Sequence, residues 1–337
     1  MPFEPKQFIG DAVAQIRRTV GTGKAIVAVS GGVDSTVTAV LMNEALGKRC
    51  VAVFVDTGFM RKGEPESIRE LAGRINMNLR FIDARKQFYA ALKGMKEPEK
   101  KRKVIGGLFI KIFEKIAKEE RAKFLGQGTL APDWIESGSG MRATIKSHHN
   151  VGGLPEGMKL KLVEPVRELY KDEVRKIGKE LGLPEKICNR QPFPGPGLAI
   201  RIVGEATPEK VEVVREACAI VEEELERAAD RGEMELPWQY FAVLLPSRSV
   251  GVLGDKRAYG YTVAVRAVNS VDGMTARYSR IPDSISENIS NRITRELKET
   301  ISFMRKSVTR MLKLPVLARR VRVVPSWQVL SMRRAGL

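Results

Sequence analysis

At 337 residues, 43% of them apolar, the chain is long enough for two globular domains. No run approaches the roughly 20 apolar residues that span a bilayer. The opening Met-Pro-Phe-Glu-Pro-Lys lacks the apolar stretch of a signal peptide, so a cytoplasmic protein is expected. The net charge of +18 invites a nucleic-acid reading, but nine Lys and Arg lie in residues 301–337, where there is no Asp or Glu. The remaining body is moderately basic, as suits a protein that handles phosphates. Cys50, Cys188 and Cys218 are far apart, form no Cys-x-x-Cys pair, and read as small buried hydrophobes.

Residues 25–29 form a short apolar run, the pattern of a strand buried on both faces of a parallel sheet. A glycine turn follows, then apolar residues at helical spacing over 36–46. Residues 50–55, 79–82 and 123–125 are further strand candidates, with helices expected over 66–75, 85–93 and 99–119. Lys96 to Lys103 is a charge run that reads as a solvated helix start. Strands alternating with helices predict an α/β fold with a parallel sheet covered on both faces. Residues 133–160 are rich in Gly, Ser and His without periodicity, the pattern of a lid. A helix is expected over 171–181. Pro192-Phe193-Pro194-Gly195-Pro196-Gly197 excludes helix and central strand and marks a domain boundary. Beyond it a helix over 208–227, strands over 240–245, 250–253 and 262–268, and a helix over 284–297 predict a smaller α+β domain.

The segment Ser30-Gly31-Gly32-Val33-Asp34-Ser35-Thr36 lies between the first strand and its helix. Two glycines allow consecutive N–H groups to converge on an anion. Ser30, Ser35 and Thr36 add hydroxyls, and the helix points its positive end at the same place. Asp34 would repel a bare phosphate; it makes sense with Mg²⁺ between it and the pyrophosphate oxygens. The bland alternative is a strand-to-helix turn with a Ser or Asp cap. A Walker A loop is excluded, because no Gly-x4-Gly-Lys-Ser/Thr occurs.

Residues 30–36 resemble the PP-loop of the N-type ATP pyrophosphatases, which include GMP, NAD, asparagine and argininosuccinate synthetases and several tRNA-modifying enzymes. Further segments resemble the GMP synthetases: Val55-Asp56-Thr57-Gly58-Phe59-Met60-Arg61-Lys62, Gln127-Gly128-Thr129-Leu130-Ala131-Pro132-Asp133, Ile145-Lys146-Ser147-His148-His149-Asn150, Leu169-Tyr170-Lys171-Asp172-Glu173 and Arg190 to Arg201. In the second half, Gly254-Asp255-Lys256-Arg257 and Val271-Asp272-Gly273-Met274 also match.

The resemblance implies an adenine-nucleotide alpha-hydrolase-like PP-loop domain over 1–191 with its lid at about 133–160. It implies a smaller α+β dimerisation and XMP-contacting domain over 192–299, and a homodimer. The implied reaction adenylates O2 of XMP with ATP, and ammonia then displaces AMP. Ser30, Gly31, Gly32, Val33, Asp34, Ser35 and Thr36 are expected around the pyrophosphate, with Asp34 on Mg²⁺. Val55 and Gly128 are expected near the adenosine of ATP. Asp133, Glu136, Lys146, His148 and His149 match the lid that closes over the chemistry. Arg61, Lys171 and Asp172 match positions on the XMP side; a helix start with an acidic first turn remains the other reading of Lys171 and Asp172.

None of the three cysteines has the setting of a class I glutaminase nucleophile. With its start close to the phosphate loop, the chain resembles the synthetase subunit of a split enzyme whose ammonia comes from a separate glutamine amidotransferase subunit. After about residue 299 the family pattern stops: the Lys-Pro-Pro ending is absent and residues 300–337 are a basic tail. Either the tail is a real extension that contacts nucleic acid or a partner, or a frame change has replaced the ending; the abrupt break favours the second. The other readings are a PP-loop enzyme acting on tRNA, for which the charge speaks and the missing Cys pair does not, and a nucleotide-binding module without turnover.

Overall fold

In the computed structural model the described residues are 3–131, 160–253, 256–270, 277–297 and 300–305. Five parallel strands form the first sheet: β1 (Ala25–Ala28), β2 (Cys50–Asp56), β3 (Leu79–Asp83), β4 (Phe124–Gly126) and β5 (Lys161–Val163), in the order β3-β2-β1-β4-β5. The first four match the expected strands. β5 is only three residues long, too short to show a period against its polar flanks.

The interior strand β2 is buried along its whole length. Its alternation splits the core in two. Cys50, Ala52 and Phe54 join Ala25 and Val27 on one face. There they meet α1 (Pro5–Val20), α2 (Val33–Leu46) and α6 (Lys171–Glu180). The helix α1 is an addition to the expected elements; Ala12, Val13, Ile16 and Val20 recur at helical spacing and are buried against this core. Val51, Val53 and Val55 face the other side with Ile26. They pack with Phe88 of α4 (Arg85–Ala91) and with Ile105, Ile112 and Ile116 of α5 (Pro98–Glu120). Two further helices complete this half, α3 (Glu64–Arg74) and the single turn α7 (Glu185–Cys188).

The second core continues without a break into the C-terminal half, through Leu198, Val214, Tyr240, Val263 and Ile285. A tight turn at Gly197–Arg201 follows the proline-rich segment. Then come α8 (Pro208–Asp230), β6 (Gln239–Leu253), β7 (Lys256–Asn269), β8 (Arg277–Tyr278), α9 (Asp283–Glu296) and β9 (Thr300–Arg305). β6 and β7 form an antiparallel hairpin, β8 pairs antiparallel with the end of β7, and β9 pairs parallel with β7. The runs expected at 240–245 and 250–253 are one strand. Pro246 has no N–H for the ladder, and the register shifts between Leu244 and Arg248, so the strand passes the break instead of ending.

Among the described residues no helix is long and apolar enough to cross a membrane. Residues 300–305 of the expected tail over 300–337 are instead the strand β9, paired within the second sheet. The rest of the tail, and most of the segment expected to form a lid, lie outside the described residues.

Candidate active site

β2 and β3 lie on one side of β1, β4 and β5 on the other. The connections leaving the carboxyl ends of β1 and β4 therefore diverge, which opens a crevice there, the ligand position of open α/β sheets. Residues 30–36 follow β1 and residues 127–129 follow β4. The two segments touch: a Cβ on Gly128 would lie 2.9 Å from the carbonyl carbon and oxygen of Asp34. Glycine at 128 is thus required by close backbone approach.

Gly31 has φ +80°, a conformation that side chains disfavour. The loop holds its own shape. The Ser30 N–H donates to Ser35 Oγ at 3.1 Å, and the Ser30 and Ser35 hydroxyls lie 2.9 Å apart. Ser35 Oγ donates to Gly32 O at 3.1 Å. Gly32 is the N-cap of α2 and contributes no side-chain cap. The N–H groups of the first turn, Val33 to Ser35, have no acceptor one turn back within the helix, and such groups are the usual anion donors.

The first residue of α6 reaches the same place. Lys171 Nζ lies 3.7 Å from Asp34 Oδ2. The start of α6 is fixed by Glu173, whose Oε2 accepts from the Tyr170 N–H at 2.8 Å, a reciprocal cap. Two helix N-termini and one ammonium thus gather around the half-buried Asp34 carboxylate.

The other expected site residues are placed as follows. Thr36, expected to offer a hydroxyl to phosphate, is fully buried and its Oγ1 donates to Gly32 O at 2.8 Å, so it braces the loop. Val33 and Val55 have their side chains in the core, so only their backbones can serve a ligand. Asp172 is exposed in the first turn of α6. Arg61, expected on the XMP side, is 8% exposed; Nη2 donates to Gln191 O at 2.7 Å while Nη1 lies 3.5 Å from Glu64 Oε1. Its guanidinium also sits 4.3 Å above the Phe193 ring. Arg61 is therefore built into the joint between the two halves. Burial lowers its pKa, which the Glu64 and Glu222 carboxylates oppose. Asp133, Glu136, Lys146, His148 and His149 lie outside the described residues.

Sequence reasoning missed Glu64. Its side chain is 1% exposed behind Gly31. Its only sequence signal is the position after Gly63 at the start of α3.

Cys50, Cys188 and Cys218 are all buried, as expected. Burial pushes the Cys50 thiol up to about 12 and raises the other two, which keeps all three protonated and poor nucleophiles.

Among the described residues no group of three or more His, Cys, Asp or Glu could hold a metal. One carboxylate beside two hydroxyls fits Mg²⁺, which commonly takes one or two carboxylates and completes its shell with substrate phosphates and water.

A glycine turn, a helix N-terminus and a lone carboxylate at the switch point of a parallel sheet define an α/β nucleotide-binding protein of the PP-loop class. Residues 5–109 match the family model described as NAD synthase, and residues 224–309 the one described as GMP synthase C terminal domain. The chain is 57% identical over 298 residues to a GMP synthase (glutamine-hydrolyzing) subunit of Methanopyrus kandleri, covering 88% of this chain and 94% of that protein. It is 58% identical over 295 residues to the corresponding subunit of Pyrococcus furiosus, covering 87% and 91%. The GMP synthase (glutamine-hydrolyzing) of Thermotoga petrophila is 56% identical over 297 residues, which are 86% of this chain but 59% of that protein. The chain belongs to the GMP synthase family.

Proposed function

We infer that this chain is the ATP-using ligase component of GMP synthesis. O2 of XMP attacks the α-phosphorus of ATP, the bond from that phosphorus to the bridging oxygen breaks, and pyrophosphate leaves. Ammonia then adds at C2 and AMP departs. The observation that carries this reading is the convergence of residues 30–36, Gly128 and Lys171 at the carboxyl ends of β1 and β4.

The loop N–H groups and the Ser30 and Ser35 hydroxyls bind the β- and γ-phosphates. Lys171 offsets the negative charge that gathers on them. Asp34 is the residue that would hold Mg²⁺, which neutralises charge on pyrophosphate when bound. No side chain is needed as a nucleophile; the rate comes from orientation and charge neutralisation. Asp133, Glu136, Lys146, His148 and His149 keep the lid role that the family resemblance implies.

Ammonia comes from a separate glutamine amidotransferase subunit. The relatives named as single subunits of the enzyme are matched over nearly their whole length, while the Thermotoga protein has a further two-fifths beyond the match. Residues 192–299 keep the homodimer contact, and the protein the cytoplasmic location, that the family resemblance and the sequence imply.

The test is AMP and pyrophosphate release by the purified chain with ATP, Mg²⁺ and ammonium chloride, comparing XMP with nicotinate adenine dinucleotide and aspartate. Release with XMP alone is expected; release only with another acceptor overturns the reading. Glutamine is expected to replace ammonium only after an amidotransferase subunit is added. Equal use of both by the chain alone removes the partner.

A further inference from the structure

The Glu64 carboxylate is buried between two guanidinium groups. Its Oε1 lies 2.9 Å from Arg190 Nη1 and 3.5 Å from Arg61 Nη1, and its Oε2 accepts from the Arg61 N–H at 3.2 Å. The same Arg190 Nη1 donates to Gly31 O at 2.9 Å. A side chain at Gly31 would overlap the Glu64 carboxylate. The pair thus occupies the back of the phosphate loop and holds one particular carbonyl.

That carbonyl matters because a trans peptide is planar, with its C=O and N–H on opposite sides. Fixing Gly31 O toward Arg190 fixes the Gly32 N–H in the opposite direction, away from both guanidinium groups. Gly31 has φ +80° and no side chain, so little within the loop itself prevents that peptide from turning over. A flipped Gly31–Gly32 peptide would present an oxygen where an anion needs a donor.

Arg190 is itself aimed from the other half of the molecule. The next residue, Gln191, donates through Nε2 to Glu222 Oε1 at 2.9 Å in α8 and accepts through Oε1 from the Tyr240 N–H at 2.9 Å in β6. Its carbonyl accepts from Arg61 at 2.7 Å. Residues 190 and 191 therefore bridge the joint, one facing the loop and one held by the second half.

We propose that Glu64 and Arg190 are positioning residues that aim the Gly31–Gly32 peptide at the pyrophosphate of ATP. This rests on the ATP-pyrophosphatase reading above. Arg190 touches the loop backbone and acts on the phosphates through it, with Glu64 holding the guanidinium in place.

The test uses the full chain and magnesium pyrophosphate as the probe. Titration calorimetry gives its Kd, and steady-state assays give KM for ATP and for XMP separately. Arg190→Gln is expected to weaken pyrophosphate about tenfold and raise KM for ATP by a similar factor, the scale of one hydrogen bond to a charged group. KM for XMP stays near wild type, while the melting midpoint falls because Glu64 is left buried with one partner fewer. Glu64→Gln is expected to act in the same direction, and Arg190→Lys to recover part of the loss. Should Arg190→Gln fail to fold, Arg190→Lys and Glu64→Gln carry the same comparison. Wild-type pyrophosphate affinity in every soluble variant overturns the proposal. So does a parallel loss of ATP affinity, XMP affinity and melting midpoint, which marks a purely structural pair. If the wild-type chain itself binds no pyrophosphate, the functional reading fails first and independently.

Discussion

The Lys171 ammonium, at the start of α6, lies 3.7 Å from the Asp34 carboxylate in the first turn of α2. These residues come from opposite ends of the first half of the chain. Their approach brings a cation to the one acidic group of the phosphate loop. Without that cation, Asp34 would oppose the polyanion that the loop is shaped to receive. Asp34→Ala is expected to reduce ATP-dependent AMP formation at least about a hundredfold. Lys171→Met is expected to raise KM for ATP with a smaller effect on KM for XMP. Steady-state kinetics with each substrate varied in turn checks both, and an Asp34→Ala enzyme with unchanged ATP consumption removes the site.

Two glycines separate packing from propensity. A Cβ at Gly128 would press on the Asp34 backbone at 2.9 Å, whereas one at Gly107, exposed in α5, would meet nothing within 4 Å. Gly128→Ala is expected to destabilise by about 1–3 kcal/mol through overpacking and to impair ATP binding, because the displaced atoms belong to the loop. Gly107→Ala is expected to stabilise by up to about 1 kcal/mol through helix propensity. Denaturant unfolding of the two variants checks the opposite signs.

Arg61 distinguishes the joint from the substrate. As a buried link among Glu64, Gln191 and Glu222, its replacement by Met is expected to destabilise the chain by on the order of 3 kcal/mol. The measurement is an unfolding curve alongside KM for XMP. A raised KM for XMP at undiminished stability would restore the substrate role that the sequence implied.

Lys101, expected to be solvated within the 96–103 charge run, is instead fully buried in α5 and donates to Ala199 O at 2.8 Å and Ile202 O at 2.9 Å, clamping the tight turn after the proline-rich segment. Burial, assisted by Lys210 and opposed by Glu205, lowers its pKa from 10.5 to about 8. Between those two values the unfolded chain holds a proton that the folded chain has released. The contribution of this group to stability therefore rises with pH across that window, by at most about 1.4 kcal/mol per pH unit, and is constant below it. Urea midpoints at about pH 8 and about pH 9.5 are expected to show this rise in the wild type and not in Lys101→Met. An identical pH dependence in both assigns it elsewhere.

The strands β1 to β4, the long helices α2, α5 and α8 and the phosphate loop are legible in the chain. Each is encoded by neighbours: apolar runs for the strands, helical spacing for packed helices, and two glycines before Asp34 for an anion turn. The helix α1 is legible in principle, since its apolar residues recur at helical spacing. β5 and β8 are not, because two or three residues carry no period. For Thr36 and Arg61 the residue type is legible but its direction is not. A threonine inside a first turn can bond back to the helix or out to a ligand, and an arginine can serve a joint or a substrate. Only packing selects between them.

What the sequence determined by itself was the repertoire: a parallel α/β sheet, an anion-binding turn and a second half joined through prolines. The tertiary structure decided which distant groups surround that turn. Arg190 meets Gly31 across 159 positions and Glu64 across 126. Such meetings follow from strand order and from which faces share a core, and no local pattern encodes them. A hydrogen bond between remote residues forms only after the loops between them have been closed by burial elsewhere.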